Sequence, residues 1–170
     1  GQLVLLNFCR DEKGKYLGNT TGVNMFSNFA KIWQDFMAQG RIKEEEYQSM
    51  TLPQYYNTVE EFSSPLINIE NPVYQAGLRL KQIETHITPC SFADSFKVHH
   101  DAHRFAKEYI PNIRSWNESI FFGALDSQRP FEERQQIIHD YYKTYQDQVE
   151  ESPELHRMDY VHAFTIIEKI

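Results

Sequence analysis

Cysteine is scarce in this sequence, with two residues among 170, and this scarcity excludes a disulfide framework. Cys9 and Cys90 form no CxxC pair, so the sequence indicates neither a dithiol redox motif nor a cysteine-rich zinc site. Because sparse, unpaired cysteine is typical of the reducing cytosol, we expect a cytoplasmic protein. Cys9 follows an apolar segment, and we interpret it as a small core residue rather than a nucleophile.

Long apolar runs and blocks of positive charge are also missing. The longest apolar run is LVLL near the start, far below the roughly 20 residues that cross a bilayer, so no membrane segment is predicted. The formal net charge is -7 and no basic cluster occurs. Since an acidic chain repels phosphate backbones, nucleic acid is not expected as a partner.

Motifs that bind phosphates or metals are absent or incomplete. The sequence contains neither GxGxxG nor GxxxxGK[ST], so no phosphate-binding loop is predicted. In the segment KVHHDAH, His99 and His103 are four residues apart on a predicted helix and could hold a metal on one face. No HExxH motif accompanies them, so a structural or surface role is favoured. The carboxylate runs at 44–46 and 150–151 are interpreted as solvated helix faces.

Apolar and aromatic residues are abundant enough for a core. Apolar residues make up 41% of the chain and aromatic residues 14%, which argues against disorder and for one domain or a large piece of one. The segments Leu3–Phe8 and Tyr160–Ile167 are nearly continuously apolar, which is typical of strands buried on both faces. Leu78–Ile87 alternates with one phase slip, which predicts a strand with a bulge.

The remaining patterns indicate helices joined by polar loops. Between Ser63 and Pro72 we expect a loop, and Gly40 and Gly123 are predicted to end helices. We predict helices over Val23–Gln39, over KEEEYQSM, after the capping box of Thr58 and Glu61, from Asp94 or Ser95 to Pro111, over Ile113–Ile120 and from Pro130. The fold class is therefore α/β with about three strands.

Several aromatic side chains allow two interpretations. Most are expected to be plain core, but a subset could line a pocket for a flat apolar ligand, since such pockets are largely aromatic. Composition does not choose between the two for the set Phe26, Tyr55, Tyr56, Trp116, Phe121, Phe122 and Tyr160.

An ordered series of segments resembles a known family. The segments are GQLVLLNFCR, QGRIKEEEYQSMTLPQYYNT, AGLRLKQIET, RSWNESIFFG, EERQQIIHDYYKTYQDQ and HAFTIIEK. They resemble, in the same order, segments of the SABATH methyltransferases of plants, which are S-adenosylmethionine-dependent carboxyl and N-methyltransferases. The QGRIKEEE…LPQY block is the most specific, and the resemblance covers nearly the whole chain.

The resemblance implies that this chain is the C-terminal portion of a Rossmann-like methyltransferase with a mostly helical cap. Leu3–Phe8 would be the fifth strand and Leu78–Ile87 the sixth, with Tyr160–Ile167 inserted antiparallel between them. Residues 23–75 and 95–123 would supply much of the substrate cap. The family's N-terminal half carries the glycine-rich cofactor loop, so the site for S-adenosyl-L-methionine is expected outside this chain. An apolar strand that begins directly after Gly1 likewise leads us to expect a cut or processed chain.

Substrate-pocket positions follow from the same resemblance, one residue at a time. The Ile-Trp pair on the first cap helix corresponds to Met25 and Phe26, and the tyrosine of the PQY motif corresponds to Tyr55. Two positions on the later helix correspond to Ile113 and Trp116, and an aromatic position near the last strand corresponds to Tyr160. A leucine position falls near Leu5 or Phe8. The resemblance assigns no catalytic residue, cofactor ligand or metal ligand to this chain, and the changed pocket residues prevent transfer of a substrate.

The implied function is methylation of a small-molecule carboxylic acid. Such an acid has a pKa of roughly 4 and is ionised at neutral pH, so no general base is required and catalysis rests on positioning. The chain is expected to be inactive without the missing N-terminal half. The alternative is a non-catalytic interaction module or pseudoenzyme remnant, which would associate, for instance as a homodimer, through an exposed apolar or strand-edge surface.

Overall fold

The computed structural model describes all residues 1–170 and shows a mixed α/β chain with seven helices and one three-stranded sheet. The strands are Gln2–Phe8 (β1), Leu78–Thr88 (β2) and Tyr160–Lys169 (β3). The helices are Met25–Ala38 (α1), Glu44–Ser49 (α2), Val59–Ile67 (α3), Pro72–Gln75 (α4), Ser91–His99 (α5), Ala102–Ala124 (α6) and Phe131–Glu151 (α7). None of these helices is both long and apolar enough for a membrane crossing.

The chain divides into two compact units, which are described separately. Unit 1 comprises residues 1–20, 54–90 and 158–170, and therefore contains the sheet with α3 and α4. Unit 2 comprises residues 21–53 and 91–157, and contains the other five helices. Residues 54–75 of the predicted cap belong to unit 1 by their contacts, and the cap assignment stays a prediction.

The sheet of unit 1 has the order β1-β3-β2, with β3 antiparallel to both neighbours. This arrangement confirms the predicted insertion of the last strand between the first two. The bulge predicted in β2 is also confirmed, because the register against β3 shifts between Leu80 and Gln82. On one face of β3, Val161 and Ala163 are fully buried and form a core cluster with Cys9, against which Phe62 of α3 and Ile83 pack.

Strand β1 departs from the expectation that it is buried on both faces. Leu3, Val4, Leu6 and Phe8 are between 43% and 61% exposed. The physical reason is that β3 is the only element that packs extensively on β1, so no helix covers either face of this edge strand. A nearly continuous apolar run predicts a strand that favours burial, but the run does not show which element would cover that strand.

Helix α1 opens unit 2 as predicted. The side chain of Asn24 caps the helix by accepting hydrogen bonds from the backbone N–H groups of Phe26 and Ser27, both at 3.0 Å. The helix ends before Gly40, whose φ of +71° is the left-handed conformation that favours glycine after a helix. Its apolar face is buried with residues of α6 and α7, among which the largest fully buried side chains are Trp33, Tyr109, Tyr141, Tyr145, Phe29 and Phe121.

The predicted break at Pro111 is wrong, and so is the predicted end at Gly123. Helix α6 runs without interruption through Pro111 to Ala124. The break lies earlier, at His100, whose φ is +53°, and Asp101 then caps α6 by accepting from the backbone N–H of Arg104 at 2.9 Å. Pro111 is exposed, so the carbonyl that loses its helical donor faces water and the helix tolerates the ring.

Helix α3 likewise extends into the predicted loop. It begins at the expected capping box, in which the side chains of Thr58 and Glu61 each accept a hydrogen bond from the backbone N–H of the other residue. The helix then continues through Pro65 to Ile67. Within this helix the hydroxyl of Ser63 donates to the carbonyl of Val59 at 2.6 Å. The loop expected from Ser63 onward is therefore shorter than predicted.

The carboxylate run at 44–46 is not uniformly solvated, which corrects the sequence-based interpretation. Glu46 is 3% exposed and accepts hydrogen bonds from Nε and Nη2 of Arg129 at 2.6 and 2.8 Å. The same carboxylate accepts from the backbone N–H groups of Lys43 and Asp126, each at 2.7 Å. Glu46 thus ties α2 to the segment between α6 and α7.

Candidate functional site

Four of the six candidate positions lie in unit 2, and two of them are in direct ring contact. The rings of Phe26 and Trp116 have centroids 6.3 Å apart, and Phe29 contacts both, at 5.8 Å from Phe26 and 6.1 Å from Trp116. Met25 and Ile113 are 1% and 0% exposed. The start of α1 and the middle of α6 therefore form one aromatic cluster.

Helical spacing explains how this cluster is built. Met25 and Phe26 occupy the first turn of α1, which the Asn24 cap fixes, and Phe29 follows Phe26 by one turn. Ile113 and Trp116 are three residues apart on α6 and are therefore neighbours on its surface. Within the cluster Trp116 differs from the rest because it is 40% exposed, whereas Phe26 is 8% exposed. A ligand of unit 2 would accordingly meet the indole of Trp116 first.

The other two candidates lie in unit 1 and have separate surroundings. Tyr160, on β3, stacks with Phe8 at 5.7 Å and with His162 at 6.0 Å, and the rings of Phe8 and His162 are 5.0 Å apart. The strand register explains the stack, since Phe8 pairs with His162. Burial lowers the pKa of His162, which favours its neutral form.

Tyr55 is the most exposed candidate, at 74%. Its hydroxyl donates a hydrogen bond to the carboxylate of Glu61, and this bond raises the pKa of Tyr55 and lowers the pKa of Glu61. The next residue behaves differently: Tyr56 stacks on Tyr16 at 5.3 Å, and burial raises its pKa to about 12. In the segment PQYY, therefore, the first tyrosine is exposed to solvent and the second is packed against another ring.

Sequence reasoning missed two residues of these clusters. Phe29 lies at the centre of the unit 2 cluster, and its position one turn after Phe26 was an available signal. His162 completes the ring stack of unit 1, and its place two residues after Tyr160 on a strand was enough to put both on one face. Phe29 lies outside the segments of the family resemblance, and His162 lies within HAFTIIEK but at none of the pocket positions that the resemblance names.

The concave surfaces of each unit lie elsewhere. Between α6 and α7 there is a groove of about 480 Å³, lined by residues that include Ser115, Ser119, Phe122 and Phe131. In unit 1 there is a cleft of about 540 Å³, lined by residues that include Arg10 and Glu60. Neither is lined by any of the six candidate residues.

The histidine and cysteine residues considered as possible metal ligands or nucleophiles, His99, His103 and Cys9, have local structural roles. His99 ends α5 and His103 lies on α6, so the two do not share the helical face predicted for them. His103 instead contacts Glu150 at 3.1 Å. Cys9 is fully buried, as expected for a core residue, and burial together with Asp11 and Glu12 raises the pKa of its thiol to about 11. The thiol is therefore protonated at neutral pH.

Two glycines of the chain leave no room for S-adenosylmethionine next to their backbone. A cradle needs glycines whose missing Cβ leaves room for a ligand next to the backbone. At Gly22 and Gly77 that room is filled by the chain itself, since a Cβ would lie 2.2 Å from the carbonyl oxygen of Leu155 and 2.8 Å from that of Ile170, respectively. Gly14 and Gly40 face open space. Since the sequence also contains no GxGxxG loop, these glycines do not identify a site for S-adenosylmethionine.

Comparison with known proteins gives a family. A search of curated proteins found no match. The model of the family described as SAM dependent carboxyl methyltransferase matches residues 1–170, the full described length, and with it the six candidate positions and the aromatic clusters around them. This chain belongs to the SAM dependent carboxyl methyltransferases, whose methyl donor is S-adenosylmethionine.

Proposed function

We propose that this chain forms the substrate-binding, cap-bearing part of an enzyme that methylates a small-molecule carboxylic acid. Family membership supports the reaction class. The observation that carries the role of unit 2 is the half-exposed indole of Trp116, which lies over the buried rings of Phe26 and Phe29. Such an apolar cluster with one accessible aromatic side chain is suited to the body of a small organic acid.

The part played by this chain is to position the acid, and proton transfer is not required of it. A carboxylic acid is ionised at neutral pH because its pKa is about 4. The acid therefore already carries the nucleophilic oxygen, and rate enhancement comes from orientation and the exclusion of water. We assign contact with the substrate to Trp116 and Phe26, and we keep Met25, Ile113, Tyr55 and Tyr160 as predicted contacts.

We further propose that the cofactor site lies in residues outside this chain, and that the chain alone is inactive. Two observations support this: the sequence contains no GxGxxG loop, and the apolar edge strand β1 has an unpaired outer edge suited to another strand. The free, buried state of Cys9 and Cys90 supports a cytoplasmic location.

Replacement of Trp116 tests the substrate assignment. In a longer protein that contains this chain together with its upstream residues, Trp116→Ala should raise KM or change the order of preference among carboxylic acids, because it removes the accessible aromatic face. The measurement is methyl transfer from S-adenosylmethionine to a panel of acids of different width and length. Val98→Ala on α5 is the matched control, since Val98 is a 72% exposed apolar residue.

Unchanged kinetics of the Trp116→Ala protein across the panel would remove Trp116 from the substrate site. A second candidate function is a non-catalytic interaction module, favoured by the exposed apolar side chains of β1, such as Leu6 at 61%. That candidate is supported if the longer protein methylates no acid and the chain self-associates in a manner that Leu6→Lys abolishes.

A further inference from the structure

We propose that Phe29 is a positioning residue that holds Trp116 and Phe26 in place and thereby determines which acids the enzyme accepts. The inference rests on the proposed function, because it concerns the same substrate surface. Phe29 itself is fully buried, so it acts on the substrate only through its neighbours.

Phe29 contacts both candidate side chains through ring edges. Its ring is 5.8 Å from Phe26 at an interplanar angle of 89°, and 6.1 Å from Trp116 at 70°. Edge-to-face pairs are directional, because the positive edge of one ring meets the negative face of the other. The direct contact between Phe26 and Trp116 is longer and tilted, at 6.3 Å and 54°. The orientation of the indole is therefore defined mainly by Phe29.

The ring of Phe29 is in turn held from behind. It packs edge-on against Tyr145 at 5.6 Å and 88°, and against Phe121 at 6.0 Å and 71°. Its backbone is fixed as well, since the hydroxyl of Tyr141 donates to the carbonyl oxygen of Phe29 at 3.1 Å. Tyr145, Phe121 and Tyr141 are at most 1% exposed. Phe29 is thus held by buried residues of α6 and α7, and it in turn restrains the partly exposed side chain of Trp116.

An exposed tryptophan without this support would have several staggered rotamers available. Trp116 is 40% exposed, so the core restrains its indole less than it restrains a fully buried ring. Loss of the edge-to-face contact with Phe29 would therefore allow the indole of Trp116 to rotate. The width of the surface that binds the acid would then change. Substrate preference would change although no residue in contact with the substrate had been replaced.

The test compares Phe29→Leu with Phe36→Leu. The two residues are 0% and 2% exposed on the same helix, so the substitutions remove similar buried volume. Phe36 packs on Tyr141 at 5.9 Å and under Arg41, away from the contacts made by Phe29 with Trp116. Both variants are made in the full chain and in the longer protein.

The first readout is acrylamide quenching and anisotropy of tryptophan fluorescence. Trp33, the other tryptophan, is fully buried, so quenching reports mainly on Trp116. We expect Phe29→Leu to increase quenching and lower the anisotropy, and Phe36→Leu to leave both unchanged. Equal behaviour of the two variants would overturn the proposal.

The second readout is the ratio of kcat/KM values for acids of different width. For Phe29→Leu we expect this ratio to shift by about two- to tenfold, the equivalent of one aromatic pair contact. A uniform fall in activity with an unchanged ratio would overturn the role in specificity. If the longer protein methylates no acid at all, the proposed function fails, and the fluorescence readout still decides whether Phe29 positions Trp116.

Discussion

Gly22 illustrates how a single residue can be fixed by the space around it. Its φ is +71°, and a Cβ at this position would lie 2.2 Å from the carbonyl oxygen of Leu155. That oxygen also accepts the hydrogen bond of the Val23 N–H at 2.8 Å. The close approach, and not only the left-handed backbone, therefore requires glycine here.

We predict that Gly22→Ala destabilises unit 2 strongly, by about 3 kcal/mol or more, since strain and a backbone collision act together. The matched control is Gly40→Ala, because Gly40 has the same φ of +71° in the same unit but faces open space. The control should cost only about 1 kcal/mol for the left-handed backbone. Chemical denaturation measures both values, and equal losses would show that the contact with Leu155 is unimportant.

At the scale of residues, the sequence predicted the candidate site unevenly. Phe26 and Trp116 could be paired because the family resemblance named both, and the structure brings their rings together. The exposure of Tyr55 and the hydrogen bond from its hydroxyl to Glu61 could not be foreseen, since the predicted capping box does not show that the carboxylate of Glu61 also accepts from Tyr55. Phe29 was missed because it touches no solvent and belongs to no motif.

Helix α2 shows how a short element depends on a single buried ion pair. It has six residues, too few for an isolated helix to persist in water. Glu46 accepts hydrogen bonds from Arg129 and from the backbone N–H groups of Lys43, its own N-cap, and Asp126, and Lys43 pairs with Asp126 at 2.7 Å. These contacts attach α2 to the segment between α6 and α7.

We predict that Glu46→Gln destabilises the protein by about 3 kcal/mol, because Arg129 then lacks its buried partner. Glu45→Gln is the control, since Glu45 is the exposed neighbour on the same helix. Thermal or denaturant unfolding at neutral pH measures the difference. A loss no larger than that of Glu45→Gln would show that the ion pair contributes nothing to stability.

The stability that the Glu46–Arg129 ion pair contributes is expected to fall at low pH. Burial raises the pKa of Glu46, but the hydrogen bonds from Arg129, Lys43 and Asp126 outweigh it and lower the pKa below its ordinary value. The unfolded state therefore binds more protons, and the stabilisation is fully present above about pH 4.3, the unfolded pKa. It is lost as the pH falls through the folded pKa. The Glu46→Gln protein should accordingly show a flatter acid-unfolding profile.

At the scale of elements, the strands and their order were predictable, whereas helix ends at proline were not. The phase slip in Leu78–Thr88 sufficed to predict the bulge, because a change of period moves side chains to the other face. The helix end predicted at Pro111 and the loop predicted around Pro65 were wrong because proline has only a tendency towards helix breaking and is not an absolute stop. The structure accommodates both within helices, at Pro111 on an exposed face.

For the molecule as a whole, the location of the cofactor site is the principal prediction. We expect that calorimetric titration of the 170-residue chain with S-adenosylhomocysteine detects no binding, because its sequence contains no GxGxxG loop. A longer protein with upstream residues should bind the same compound at one site. One-to-one binding by the 170-residue chain would place the cofactor site within it and would contradict the proposal.

The central position of β3 determines the order in which unit 1 can be completed. During synthesis β1 and β2 leave the ribosome first, and both depend on β3 for their only strand pairing. All five helices of unit 2 are made before β3, and α1 and α2 precede even β2. Until β3 emerges, the edge of the apolar β1 that pairs with it is open, a state that invites aggregation. A nascent chain of this protein is therefore expected to need chaperone protection until β3 is translated.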